Sequence, residues 1–295
     1  MENLFACPKC KDSNFELFLQ CVDYTITKEK FNIVSCKQCG FKFTNPRPYL
    51  KLIQKYYESE NYISHSNTNT GIFNKLYHFI KKIAIKNKIR IIEELQPKNK
   101  TLLDIGCGTG SFLGTIKTKG WNVKGIEPNE KAKKTAIKDY SINVLHETEL
   151  INLPKNSFSV ITMWHVLEHV HNIKQRTHEI YNLLEKGGYA IIAVPNHTSW
   201  DAKYYGEYWA AYDVPRHLSH FTPQTIKELF KESNLKHIKS LPMKFDSYYV
   251  SLLSEKYKNS FLQPLKALII GMYSNLKAIK NVEKYSSVIY IFQKI

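Results

Sequence analysis

The sequence predicts an α/β fold, a doubly wound and mostly parallel sheet of seven strands, preceded by a small module held by cysteines. Two observations carry this expectation. From Thr101 onward, short apolar runs alternate with stretches of helical character, and such alternation builds a parallel sheet covered by helices on both faces. In front of it, four of the six cysteines stand in two pairs, Cys7-Pro8-Lys9-Cys10 and Cys36-Lys37-Gln38-Cys39, with 25 residues between them. A chain of 295 residues, 43% of them hydrophobic, has material for one large core and a satellite.

In chain order, the extended, alternating stretch 15–27 and Gly40 after the second pair suggest two small hairpins around the cysteines. After Pro46-Arg47-Pro48 a helix is expected over 49–60, with Tyr56 and Tyr57 on its buried side, and another over 72–95; 64–71 reads as polar and flexible. Strands are then expected at 101–105, 122–126, 142–145, 158–164 and 189–194, interleaved with helices at 111–119, 130–140 and 172–184. The stretch 196–221 is rich in Trp, Tyr and His and lacks a clear period, which suggests an insertion. A helix at 223–232, a strand near 236–241, a helix at 263–280 and a strand at 287–293 close the chain. The expected units are a module at 1–48, a helical linker or cap at 49–97 and the main domain at 98–295.

No charged start is followed by an apolar stretch of signal-peptide length, and the longest apolar run, 265–272, falls short of the roughly 20 residues of a membrane span. A cytoplasmic protein is expected, with peripheral membrane contact left open. The formal net charge of +16 invites a nucleic-acid reading, although much of the excess is Lys in a chain rich in Lys, Ile and Asn. Between Gly71 and Lys100 eight Lys or Arg face two Glu, interleaved with apolar residues such as Ile83 and Ile89, the pattern of a basic amphipathic helix.

Cys7, Cys10, Cys36 and Cys39 have the spacing of two knuckles that present four thiolates to a tetrahedral zinc ion, a zinc-ribbon-like module. A disulfide framework would require an oxidising compartment. Cys21 and Cys107 read as small apolar residues.

The most informative stretch is Leu102-Leu103-Asp104-Ile105-Gly106-Cys107-Gly108-Thr109-Gly110-Ser111-Phe112. An apolar strand ends in an acid, and glycines at alternate positions let the backbone turn sharply and approach a ligand before a helix begins. The second strand ends at Glu127-Pro128, 17 residues after Gly110, where a carboxylate can accept both hydroxyl hydrogens of a ribose. These residues resemble motif I and the following acid of the class I, Rossmann-like methyltransferases that use S-adenosylmethionine (SAM). The resemblance implies SAM contacts from Asp104, Gly106, Cys107, Gly108, Gly110, Phe112, Glu127, Pro128, Glu149, Leu150 and Trp164. Asp104 would approach the methionine amino group, Glu127 the ribose, and the segment around Glu149 and Leu150 the adenine.

The fourth strand of the main domain runs into Trp164-His165-Val166-Leu167-Glu168-His169. Methyl transfer aligns acceptor, methyl and sulfur and removes one proton from the acceptor, which suits histidine near neutral pH. If a helix starts near His165, then Glu168 and His169 share its face. The segment resembles the glutamate-histidine stretch of ubiquinone-pathway O-methyltransferases and of metal-dependent small-RNA 2′-O-methyltransferases. The latter hold a divalent ion with an acid-x-x-acid-His segment and a later histidine; here His165 replaces the first acid, and His217 is a candidate later histidine. His165, Glu168, His169 and His217 are therefore the candidate catalytic residues, and a second divalent metal stays open beside a metal-free base.

The 194–217 stretch resembles a subgroup of methyltransferases found with cell-envelope sugar and specialised-metabolite pathways, which implies that the 196–221 insertion covers the acceptor. Arg216 could pair with an acceptor phosphate or carboxylate, and Trp200, Tyr204, Tyr205, Tyr208 and Trp209 either wall the acceptor site or pack the loop. The expected reaction is methylation of a small-molecule acceptor, led by O-methylation. The rivals are an RNA methyltransferase gripping RNA with the zinc module and basic helix, and a catalytically silent SAM-binding protein. Oligomeric state is not legible.

Overall fold

The computed structural model describes residues 1–57 and 72–295, with side chains of 1–57 and 80–295. The expected flexible stretch 64–71 lies outside the described residues, as does the end of the helix expected over 49–60. What is described of that helix is a single 3-10 turn, Ile53–Tyr56. Its backbone is diverted to tertiary partners: the Tyr56 carbonyl accepts from Arg216 at 3.0 Å, while the Tyr56 hydroxyl donates to Glu29 at 3.2 Å.

At the N-terminus, β1 (Phe15–Val22), β2 (Lys30–Cys36) and β3 (Lys42–Thr44) pair antiparallel. Helix α1 (Ile72–Glu94) leads into β4 (Thr101–Ile105), α2 (Ser111–Lys117), β5 (Asn122–Ile126), α3 (Glu130–Tyr140) and β6 (Asn143–Leu145). Then come β7 (Phe158–Trp164), α4 (Ile173–Leu183), β8 (Leu184–Pro195), the short α5 (Trp200–Tyr205) and β9 (Ser219–His220). The chain closes with α6 (Pro223–Lys231), β10 (Leu235–Pro242), α7 (Asp246–Tyr257), α8 (Gln263–Ala278) and β11 (Ser287–Lys294).

The seven-stranded sheet has the order β10-β11-β8-β7-β4-β5-β6, with β11 antiparallel to both its neighbours. Successive residues enter opposite cores, Leu102, Val160 and Ile191 on one face and Leu103, Ile161 and Ile192 on the other. That is the two-sided burial a helix-covered parallel sheet requires. The order reverses where β4 lies between β5 and β7, and ligands of such sheets bind beyond the carboxyl ends at that point.

The N-terminal sheet does not stand apart. Strand β9, from the insertion, pairs with β3 through Lys42–His220 and Phe43–Ser219, giving the order β1-β2-β3-β9. Lys9 is buried and reaches Glu228 on α6 at 2.7 Å.

Candidate functional site

The turn after β4 runs through Gly106, Gly108 and Gly110 at φ of 76°, 55° and 78°, a left-handed path that other L residues enter only with strain. The Gly106 and Cys107 amides donate to the Ile126 carbonyl at 2.8 and 3.0 Å, tying the turn to β5. A Cβ on Gly106 would meet Val166 Cγ2 at 2.4 Å, whereas one on Gly108 would meet nothing within 4 Å among the described residues. The glycine loop is thus packed at its ends and open in the middle, at the carboxyl edge of the sheet.

Two buried carboxylates flank this opening. Glu127 accepts from Gly108 N–H at 2.7 Å through Oε2 and from Asn129 N–H at 2.9 Å through Oε1; burial raises its pKa against those hydrogen bonds. Asp104 accepts from the Thr162 hydroxyl at 2.6 Å, and burial pushes it up to about 7. Phe112 and Trp164 meet edge to face at 6.0 Å, and Trp164 Nε1 is buried with no hydrogen-bond partner among the described residues. The Lys88 ammonium, from α1, lies 4.4 Å over the Trp164 ring. Burial lowers its pKa to about 8 against the attraction of Asp104 and Asp246. These groups match a ligand with a ribose, a cationic amino group and an aromatic base. Glu149 instead caps its own 3-10 turn, accepting from His146 N–H at 2.8 Å, with Leu150 buried beside it.

No α-helix begins at His165. His165 takes a left-handed φ of 57° and the chain makes a 3-10 turn, Leu167–His169. His165 lies between two acids, its Nδ1 3.3 Å from Glu168 Oε1 and its Nε2 2.9 Å from Asp246 Oδ2. Burial would depress its pKa, but Asp246 and then Glu168 hold it up to about 10. His165 as placed is a bridging imidazolium, not the free base expected.

His169 and His217 are arranged differently. His169 Nδ1 is 3.1 Å from the Arg216 carbonyl and 2.9 Å from the Tyr57 hydroxyl, and His217 Nδ1 is 2.8 Å from the Ala211 carbonyl. A carbonyl only accepts, so each Nδ1 carries a proton and Nε2 is the nitrogen left for a ligand. Burial, reinforced by His217, lowers the His169 pKa to about 4. Glu168 is 1% exposed, its Oε2 has no hydrogen-bond partner among the described residues, and its Oε1 lies 4.0 Å from His217 Nε2. Ligand atoms of Glu168, His169 and His217 all fall within 4.8 Å of one another. Two imidazoles fixed through Nδ1 on backbone carbonyls, close to a carboxylate with one oxygen unpartnered among the described residues, are a donor set that suits a divalent cation.

A second cluster sits in the N-terminal sheet. Cys7 and Cys39 Sγ are 3.7 Å apart, Cys10 and Cys36 3.5 Å, and all four fall within 4.8 Å of one another. Four thiolates at about 2.3 Å from a tetrahedral zinc stand about 3.8 Å apart, so the cage fits that ion. Amides shape both knuckles, Lys11 N–H donating to the Cys7 carbonyl at 3.0 Å and Gly40 N–H to that of Cys36 at 2.9 Å.

Residues 76–240 match the family model described as a methyltransferase domain. The chain belongs to the class I SAM-dependent methyltransferases. It is 30% identical over 190 residues to the ubiquinone biosynthesis O-methyltransferase of Rickettsia typhi, a match spanning 58% of this chain and 74% of that protein. It is 29% identical over 211 residues to the enzyme of the same name from Rickettsia prowazekii, spanning 64% and 81%. Among solved structures it resembles a SAM-dependent methyltransferase from Archaeoglobus fulgidus, with TM-score 0.51, 21% identity, and 74% and 100% of the two chains covered. It also resembles phosphoethanolamine N-methyltransferase 2 of Haemonchus contortus in complex with SAM, with TM-score 0.53, 17% identity, and 95% and 68% covered.

The expectation for Arg216 needs correction in this methyltransferase. Arg216 is 1% exposed and cannot meet an acceptor: it donates to Asp23 at 2.9 Å and Asp213 at 2.6 Å and so joins the N-terminal sheet to the insertion. Of the two alternatives left open for the aromatic residues of 196–221, Trp209 and Tyr205 take the packing one. Trp209 Nε1 donates to Asp201 at 2.8 Å and the Tyr205 hydroxyl to Glu255 at 3.0 Å, both deep in the protein. Trp200 and Tyr204 stack on each other at 5.2 Å. Sequence reading missed Lys88, Asp246 and Tyr57 at the site. For Lys88 a signal was present: it stands three residues after Ile85 and four before Ile92, on the packed face of the helix, whereas Lys82 and Lys86 are exposed.

Proposed function

We propose that this methyltransferase moves a methyl group from SAM to a hydroxyl of a small-molecule acceptor, with a divalent cation held by Glu168, His169 and His217. The observation that carries the reading is that constellation, one ligand atom of each residue within 4.8 Å of the others and Glu168 Oε2 unpartnered among the described residues. The names of the Rickettsia relatives support O-methylation and a quinone-like phenol as the acceptor class.

When bound, SAM supplies an electrophilic methyl group, and a divalent cation would stabilise an ionised acceptor oxygen. Glu127 offers its outer lone pairs to ribose hydroxyls, Asp104 faces the amino group, and Phe112, Pro128, Leu150 and Trp164 border the base and sulfonium. Gly106, Cys107, Gly108 and Gly110 lend backbone. His165, bonded at both nitrogens to carboxylates, positions Glu168. Cys7, Cys10, Cys36 and Cys39 hold a structural zinc that orders the 1–48 module beneath the 196–221 insertion.

The test is transfer of labelled methyl to a panel of catechols, phenols and sugar alcohols, with an RNA pool as a parallel arm, for the wild-type protein and Glu168→Gln. The variant leaves the cysteine cage intact. Labelled phenol or alcohol with metal bound in wild type, and about a 10²- to 10⁴-fold loss of rate in the variant, is the expected result. Equal rates with and without Glu168 remove the cation from the mechanism; label in RNA alone removes the small-molecule acceptor.

A further inference from the structure

Helix α8 is built inside out. Its small residues Ala267, Gly271, Ser274 and Ala278 are buried. A Cβ on Gly271 would lie 2.7 Å from the Tyr248 ring of α7, so α7 and α8 approach closely there. The large apolar side chains are left on the outside: Leu262, Leu265, Ile269, Met272, Leu276 and Ile279 are each between 49% and 68% exposed. Their spacing alternates three and four residues, so they form one continuous stripe from the residue before α8 to the residue after it. Contiguous exposed apolar surface of this kind marks an interaction site.

The charge around the stripe selects its occupant. From Lys256 to Val282 there are five lysines and no Asp or Glu. Lys256, Lys258, Lys266, Lys277 and Lys280 are all exposed. A two-fold contact between copies would set these lysines against their counterparts, whereas an anionic lipid headgroup layer neutralises them while its acyl boundary takes the leucines. The helix has 16 residues, and among the described residues no helix is long and apolar enough to cross a membrane, which leaves lying along the surface as the mode of contact open to α8.

We propose that α8, carried by the α7–α8 hairpin, is an interfacial helix that docks this methyltransferase onto anionic membranes. The same hairpin brings Asp246, the first residue of α7, to His165 at 2.9 Å, so the hairpin that carries the stripe is joined to the candidate transfer centre through α7. Docking stands independently of which acceptor is methylated.

Co-sedimentation of the full-length protein with phosphatidylcholine vesicles, with and without 30 mol% phosphatidylglycerol as a chosen composition (~30%), tests this. Binding is expected only to the anionic vesicles, weakening with salt. Lys266→Gln, Lys277→Gln and Lys280→Gln together should lower the partition coefficient about a hundredfold, at about fivefold per lysine. Leu265→Gln, Ile269→Gln and Leu276→Gln together should abolish binding while leaving SAM affinity, which reports the fold, unchanged. No preference for anionic vesicles, or equal binding by either triple variant, overturns the proposal. So does a dimer in sedimentation velocity that the leucine-stripe variant dissolves, because a second copy then covers the stripe.

Discussion

Replacing Gly110 by Ala tests how the cofactor loop is held. Gly110 sits at φ 78°, and an added Cβ would lie 2.7 Å from Ala136 Cβ and 3.1 Å from Ala136 Cα on α3, atoms that cannot swing away. Gly120 supplies the control, with φ 80° and nothing within 4 Å of an added Cβ. Both substitutions incur the left-handed strain of about 1–2 kcal/mol and share the same gain from a stiffer unfolded chain. Only Gly110→Ala adds overpacking, about 1–3 kcal/mol. Gly110→Ala should therefore be less stable than Gly120→Ala by about 1–3 kcal/mol, read from urea midpoints followed by tryptophan fluorescence at a common slope. It should also bind SAM more weakly, because the clash pushes the loop off α3. Equal midpoints for the two variants would refute the packing argument.

Other outcomes follow from the same geometry. Arg216→Met leaves Asp23 and Asp213 without their counter-charge, Asp23 being fully buried, and should lose about 3–5 kcal/mol in urea denaturation; adding Asp23→Asn should restore part of it. SAM affinity should weaken as pH falls below about 7, where Asp104, raised by burial, takes up a proton and no longer faces the ligand's ammonium as an anion. The slope should approach tenfold per pH unit, measured by titration calorimetry and flattened in Asp104→Asn. Elemental analysis should find zinc that Cys36→Ser loses, together with loss of the structure around β1–β3 seen as new protease cleavage there; full zinc content in that variant would contradict the cage.

The strands and glycine loop were legible because their signals are local: apolar runs of strand length, and glycines where the backbone must turn left-handed. The cysteine cage was legible from spacing alone. What escaped depends on distant partners. Arg216 looks like a substrate-facing cation until Asp23, 193 residues away, is brought to it by the fold. Strand β9 is two residues long and exists because β3 offers it an edge. Helix α7 gave no apolar period because its buried side includes Ser247, Ser251, Ser254 and Glu255. The left-handed His165 replaced an expected helix start, since only that bend sets its ring between Glu168 and Asp246.

The most direct test of the account is calorimetric titration of S-adenosylmethionine and its demethylated product into the wild-type protein and into Glu127→Ala. Micromolar binding by the wild type, with at least about a tenfold loss in the variant for each 1.4 kcal/mol of ribose hydrogen bonding removed, is the predicted result. Absence of binding by folded wild-type protein, or undiminished binding by Glu127→Ala, would contradict the cofactor site drawn here.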